Sequence, residues 1–336
     1  MNYQEFFIKA KENEIEESEL SFGKSKSLSF TVYNGDLENY TFSNNSSLSA
    51  RGKYHGKAGY VNTEKLDSST IPFLIEKIKE NAEVNNSSDE LIIFKGSEKY
   101  HNKKVYSKKL DETPADEKIA ILKKLYEVIL SQDKRITDIE LSYQEDLSEY
   151  ILMNSYGLNL KSKSNFFVIY AEVIARQGEE TKTDGKVYVG QDLSQFDIDT
   201  FAKDAVKKTV SQFNSIICDS KKYRAILSSD VASSFLNFYL GHIIADEVQK
   251  NTSHFKGKLN EKIASSKVTV EERPLDKGPS FRSFDDEGVA TSNKVLIDKG
   301  VLKTYLYNLA TAKKDNTVST GNGYRSSGKV STALTN

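Results

Sequence analysis

Two sets of side chains in this chain of 336 residues could do chemistry. The first is Asp285-Asp286-Glu287, three consecutive carboxylates closed by Gly288. Three adjacent charges cannot all be buried without partners, so the run is expected to be a solvated or ligand-facing turn. It could take a hard cation, but it lacks the alternating ligand spacing of a calcium loop, and a structural or peptide-contacting turn is the preferred reading. The second set is His242, with Asp246 one turn on and His254 beyond. A histidine beside a carboxylate can act as metal ligand or general base. The competing reading, commoner for a lone histidine, is a core residue bonded locally. A metal site built from His242, Asp246 and His254 matches no established spacing and stands only as a fallback. Gly321-Asn322-Gly323 lies in a turn-rich stretch, STGNGYRSSG, whose backbone N–H groups could hold an anion or pair with an extended peptide. It lacks the strand before and helix after that a nucleotide loop needs.

The elements that must position these groups read as α+β. Residues 2–16 suit an amphipathic helix. Ser27 to Tyr33 then alternates apolar and polar, and Asn34-Gly35 turns the chain back to pair 36–42 against it. Ser47 to Asn62 extends that sheet, and a helix from about Thr70 lays Ile71, Leu74, Ile75 and Ile78 along one stripe. After a polar stretch over 85–106, Thr113-Pro114-Ala115-Asp116 starts a second helix with Pro114 at its first position. Strands follow over 135–143, 149–153 and 166–176, with turns at Tyr156-Gly157 and Gly178 to Gly185. Ile198 to Phe213 is a further amphipathic helix. Helices beside antiparallel pairing favour α+β over a doubly wound sheet.

A polar run near Asp219 to Lys222 divides the chain into an N-terminal α+β region, 1–220 with a sub-boundary near 110, and a C-terminal domain, 221–336. The latter opens with a strand over Tyr223 to Leu227. The helix from Ser229 or Asp230 is apolar nearly all round through His242, which predicts a buried central helix. Val295 to Ile297 and Val301 to Leu306 read as a hairpin joined by Asp298-Lys299-Gly300.

Composition narrows the function. Lys+Arg 47 against Asp+Glu 48 leaves a net charge of −1, and only seven of the cations are Arg, so nothing draws nucleic acid as the main partner. A single cysteine, Cys218, excludes an internal disulfide framework, and its apolar neighbours predict a small core residue. No run approaches the ~18 apolar residues of a membrane span, so the expectation is a cytoplasmic protein without a membrane partner.

Three strings, FDDEGVAT, the hairpin VLIDKGVLKTYLYN and the STGNG loop, follow in the order found in the C-terminal domain of the TldD/PmbA family. The stretch ARGKYHGKAGYVNTEKLD, from Ala50 to Asp67, resembles the start of the same family. The resemblance implies a peptidase system of two subunit types, associated with proteolysis of unfolded polypeptides and maturation of peptide precursors. Catalytic members carry HExxxH on the matching helix; its positions fall here on Asn237, Phe238 and His242. Phe238 cannot take a proton and Asn237 is a poor zinc ligand, so the motif is degenerate and the chain is similar to the non-metal PmbA (TldE) branch. With no ligand pair to reward a widened turn, ordinary helix is expected there. The resemblance further implies no cofactor in this chain, zinc in a TldD-like partner, and a heterodimer with that partner or a homodimer, acting on unfolded peptide. The alternative reading is an independent peptide-binding or scaffold module without a peptidase partner, and a metal hydrolase using His242 comes third. Asp285, Asp286, Glu287, Gly288, Gly321 and Asn322 are its candidate peptide-binding or structural residues. The family continues past the match to Asn336, where catalytic members supply a cysteine ligand. The domain is therefore expected to be truncated, with sheet edges left for a partner to cover.

Overall fold

The strand before Asn34-Gly35 begins at Ile15, well ahead of the expected alternation from Ser27 and inside the expected helix, which ends at Glu12. The expected strand over 36–42 continues without a break to Tyr54. β1 runs Ile15–Tyr33 and β2 runs Asp36–Tyr54, paired antiparallel from Tyr33↔Asp36 to Ile15↔Tyr54 across that turn. The computed structural model describes residues 3–86, 90–326 and 329–335. Residue 2 of the expected first helix, 87–89 of the polar stretch, 327–328 of the glycine-rich segment and Asn336 lie outside the described residues.

β3 (Lys57–Thr63), β4 (Ile136–Asn154), β5 (Asn159–Gln177) and β6 (Glu180–Gly190) complete a six-stranded antiparallel sheet ordered β3-β2-β1-β4-β5-β6. The two strands expected over 135–153 are thus one. The segment expected to turn through Gly185 is already β6 from Glu180, so the connection is a tight turn at Gly178, in positive φ. No sequence repeat is evident, yet the topology repeats. Each half is a three-stranded meander flanked by helices, and the halves join where β1 pairs with β4.

α1 (Tyr3–Glu12) and α2 (Thr70–Val84) cover the first half, burying Phe6, Ala10 and the stripe Ile71, Leu74, Ile75 and Ile78. α3 (Lys108–Glu112), α4 (Ala115–Gln132) and α5 (Ile198–Val210) serve the second half, with Leu122, Leu125, Ile129 and Phe201 against Tyr143 and Phe167. Pro114 caps α4 rather than opening it. Asp197 caps α5 by accepting from Thr200 N at 3.1 Å.

The C-terminal region holds α6 (Ser229–Leu240), α7 (Ala245–Gln249), α8 (Leu309–Lys314) and small sheets: β7 (Val270–Glu272), β8 (Lys294–Asp298) and β9 (Val301–Leu302), then β10 (Gly323–Ser326) and β11 (Lys329–Thr332). The hairpin through Lys299 and Gly300 forms as expected, though its second strand is short.

Three expectations are corrected here. Residues 223–227 form no strand: they find no ladder partner among the described residues, and Ile226 is fully exposed. α6 is not buried. Only Leu240 of its residues is, while Val231, Phe235 and Phe238 stand in solvent because no described element packs on that side. An all-round apolar helix signals a need for cover, and nothing in its pattern says what provides it. Cys218, in the same uncovered stretch, is exposed rather than in the core.

Candidate functional site

Phe284 to Val289 sits between the sheet and the C-terminal strands, and the acidic run is not a solvated turn. Asp285 is 0% exposed and Glu287 is buried, with Asp286 half-buried between them. Burial is tolerated because backbone donors satisfy the carboxylates. Asp285 Oδ1 accepts from Glu287 N at 3.0 Å and Val289 N at 2.9 Å, and its Oδ2 accepts from Gly323 N at 2.8 Å. Glu287 Oε2 takes Leu309 N at 2.8 Å, the first residue of α8. Asp286 Oδ2 takes Arg325 N at 2.8 Å, and its other oxygen pairs with Arg282.

The glycine-rich loop does hold anions with its backbone, and those anions are the chain's own carboxylates. The turn requires glycine at Gly288, where φ is +86° and a Cβ would sit 2.8 Å from Leu158 Cδ2. It requires glycine again at Gly321, where φ is +71° and a Cβ would lie 2.8 Å from Ala290 O. Asn322 is fully buried and binds Glu272 through its amide at 2.9 Å, while Lys294 neutralises Glu272 at 2.5 Å. Desolvation, then the nearby Glu287 charge, pushes the Asp285 carboxyl up to about 7, and desolvation raises Glu287 as well. All six candidates from Asp285 to Asn322 therefore meet at one seam, five of them buried and only Asp286 facing open space.

The seam is tied to the sheet by residues that sequence reasoning passed over. Glu19 of β1, with no exposed side chain, accepts from Arg51 Nε at 2.9 Å and Nη2 at 3.1 Å, and from Arg325 Nη2. Arg is scarce in this chain, and two of its seven sit on one carboxylate, where a planar fork is needed. That scarcity was the available signal. Tyr100 Oη donates to Gly288 O at 2.8 Å, so the 90–106 stretch is clamped to the turn.

Two clefts open on either side of Asp286 and Tyr150. One, of about 590 Å³, lies over Glu19, Arg51 and Tyr60; the other, of about 940 Å³, runs between β5 and residues 279–284. Burial raises the Tyr150 phenol to about 12, so it stays protonated between them.

The histidine set lies elsewhere. α6 ends at Leu240 and a 3-10 turn over Gly241–Ile243 carries His242, so the expected ordinary helix stops directly before the Gly-His pair. His242 packs edge-on against Phe238 at 5.8 Å, Phe255 at 6.0 Å and His254 at 4.7 Å between ring centroids. Asp246 Oδ2 instead accepts from Thr332 N at 3.3 Å. Asn237 and Phe238 are exposed on α6. Among the described residues no three His, Cys, Asp or Glu side chains converge as metal donors, so these residues do not fit the zinc that the family's catalytic members bind.

Comparison with known proteins places these features. A curled antiparallel sheet with packed helices, joined to a carboxylate-threaded C-terminal region, is the α+β architecture of a metallopeptidase-family protein. Residues 18–82, 108–213 and 220–336 match, in order, domain 1, the central domain and the C-terminal domain of the PmbA/TldA metallopeptidases. The chain belongs to the TldD/PmbA family. It is 26% identical over 311 residues to a metalloprotease of Methanocaldococcus jannaschii, covering 90% of this chain and 68% of that one. To metalloprotease PmbA of Escherichia coli O157:H7 it is 23% identical over 316 residues, with the same two coverages of 90% and 68%. A crystal structure from Thermotoga maritima, described as a proposed modulator of a DNA gyrase, superposes with a TM-score of 0.85 at 27% identity, covering 98% of this chain and 75% of that one. TldE from Thermococcus kodakarensis shares the fold, with a TM-score of 0.88 at 21% identity over 99% of this chain and 76% of that one. The chain thus spans about two thirds to three quarters of these relatives' lengths. Among the described residues, no helix is long and apolar enough to cross a membrane.

Proposed function

We propose that this chain is a non-catalytic, TldE-like subunit of a TldD/PmbA-type peptidase assembly, which holds unfolded peptide while a metal-bearing TldD-like partner hydrolyses it. The observation that carries the reading is the chemistry at the motif positions. Where catalytic members place a histidine and a glutamate, this chain has Asn237 and Phe238, which can neither complete a zinc site nor take a proton from bound water. The uncovered side of α6, with Phe238 69% exposed beside Phe235 and Val231, supports a covering partner, heterodimeric or a second copy. The clefts beside Asp286 supply room for peptide. We further propose that the polar run near 220 separates two domains.

His242 and His254 in ring contact favour a second reading, a metal hydrolase built on His242. Metal analysis and peptide cleavage decide between them. The chain alone is expected to carry no stoichiometric zinc and to leave unfolded peptide intact, with zinc and cleavage arriving together when a TldD-like partner is added. Cleavage by the isolated chain that is lost in His242→Ala would establish the second reading instead.

A further inference from the structure

The larger cleft is a trench along a strand edge. Four consecutive β5 residues, Lys161 to Ser164, line it. Alternate residues of a strand face opposite sides, so four in a row share a cleft only if it follows the edge. That edge is open. β5 pairs with β4 from Asn159 to Ala175, but β6 joins only at Phe167, and Val105 bridges Ser164 in parallel at the trench end. Among the described residues no strand pairs with Leu160 to Lys163 on that side. Every second residue there directs its N–H and C=O away from β4, which is a template for an added strand of about four residues, roughly 13 Å.

Charge selects the occupant. The lining carries Lys103, Lys104, Lys161, Lys163 and Arg282 against one carboxylate, Asp286. Arg282 is matched to Asp286, Lys163 is paired with Glu149 at 2.7 Å, and Lys103 donates to Leu275 O. Lys104 and Lys161 are exposed and have no ion-pair partner among the described residues. We infer that this trench binds an extended acidic peptide as an added strand on β5, with side-chain carboxylates on Lys104 and Lys161 and backbone hydrogen bonds to residues 160–163. This rests on the peptide-holding reading above and gives it a substrate class. An open sheet edge serves a peptide backbone and offers nothing to a sugar-phosphate chain, so peptide is favoured over nucleic acid.

The test is fluorescence anisotropy of the whole chain with short labelled peptides alternating Thr with Glu, Ser or Lys. The Glu peptide is expected to bind at least about tenfold tighter than the others, and to lose about tenfold both in the Lys104→Glu/Lys161→Glu variant and when its alternate amides are N-methylated. Both lysines are exposed, so circular dichroism of the variant should match the parent. Equal binding of the three peptides would overturn acidic selection and leave peptide holding intact. Tight Glu-peptide binding that survives both changes would place the site elsewhere. Equal loss of an oligothymidine strand in the same variant would make the trench a general polyanion site. Binding of no peptide at all would remove this inference together with its basis.

Discussion

Asp285 and Glu287 lie buried in the C-terminal region with backbone N–H groups on their oxygens, whereas Val231, Phe235 and Phe238 of α6 stand in solvent in the same region. Residue type alone would exchange the two. The carboxylates are buried because another loop turns its N–H groups onto them, a long-range pairing that desolvates and satisfies in one step. The apolar helix is exposed because its remaining side meets no described element. Interior position follows from the partner supplied, and hydrophobicity decides only what an unpartnered surface costs.

Removing the partner from the buried side should have the largest effect. Asp285→Ala leaves three buried N–H groups without an acceptor, and a loss of about 3–5 kcal/mol is expected in urea unfolding. A loss under about 1 kcal/mol would mean the carboxylate is not the clasp. Glu19→Gln should cost about 3 kcal/mol by leaving Arg51 and Arg325 without their shared anion, and Arg51→Lys should not restore it.

The pH dependence is smaller and has a definite sign. The folded Asp285 carboxyl is raised to about 7 from an ordinary 3.8. Between those values the folded state holds a proton that the unfolded state has released, so stability falls as pH rises through the window. One such group limits the slope to about 1.4 kcal/mol per pH unit. Glu287, also raised, acts in the same direction. Urea midpoints should decline as pH rises from about 5 to about 7, and Asp285→Asn should flatten the decline.

The smallest effect belongs to the exposed side. Phe235→Asp with Phe238→Asp should change the chain's own stability by no more than about 0.5 kcal/mol, while weakening self-association or partner capture in analytical ultracentrifugation. A large stability loss would show that α6 is already packed.

Local pattern carried the sheet and its helices. Asn34-Gly35, the alternation before it and the Ile71 to Ile78 stripe all became what their periods predict, because each is decided by neighbours in sequence. The seam was half legible. Asp285 to Asn322 could be singled out, but their burial could not, because it depends on Gly323 and Leu309 offering N–H groups from distant loops. Glu19 and Arg51, one strand apart in the sheet, carry no local motif that announces Arg325. α6 was misplaced for the same reason, since its pattern records a demand for contact and omits the supplier.

The pairing of β1 with β4 also sets a schedule for synthesis. β1 is made well before β4, yet it is a central strand, joining Glu140 at Tyr33 and Asn154 at Glu19. Its β2 hairpin can form at once, but its other edge stays bare until more than a hundred further residues have been made, and Glu19 meets Arg325 only after 306 more. Such separations slow folding and leave a long, partly apolar strand open to wrong partners meanwhile. Lys24 and Lys26 near the middle of β1 interrupt its apolar run, and so discourage two nascent chains from zipping together before β4 arrives.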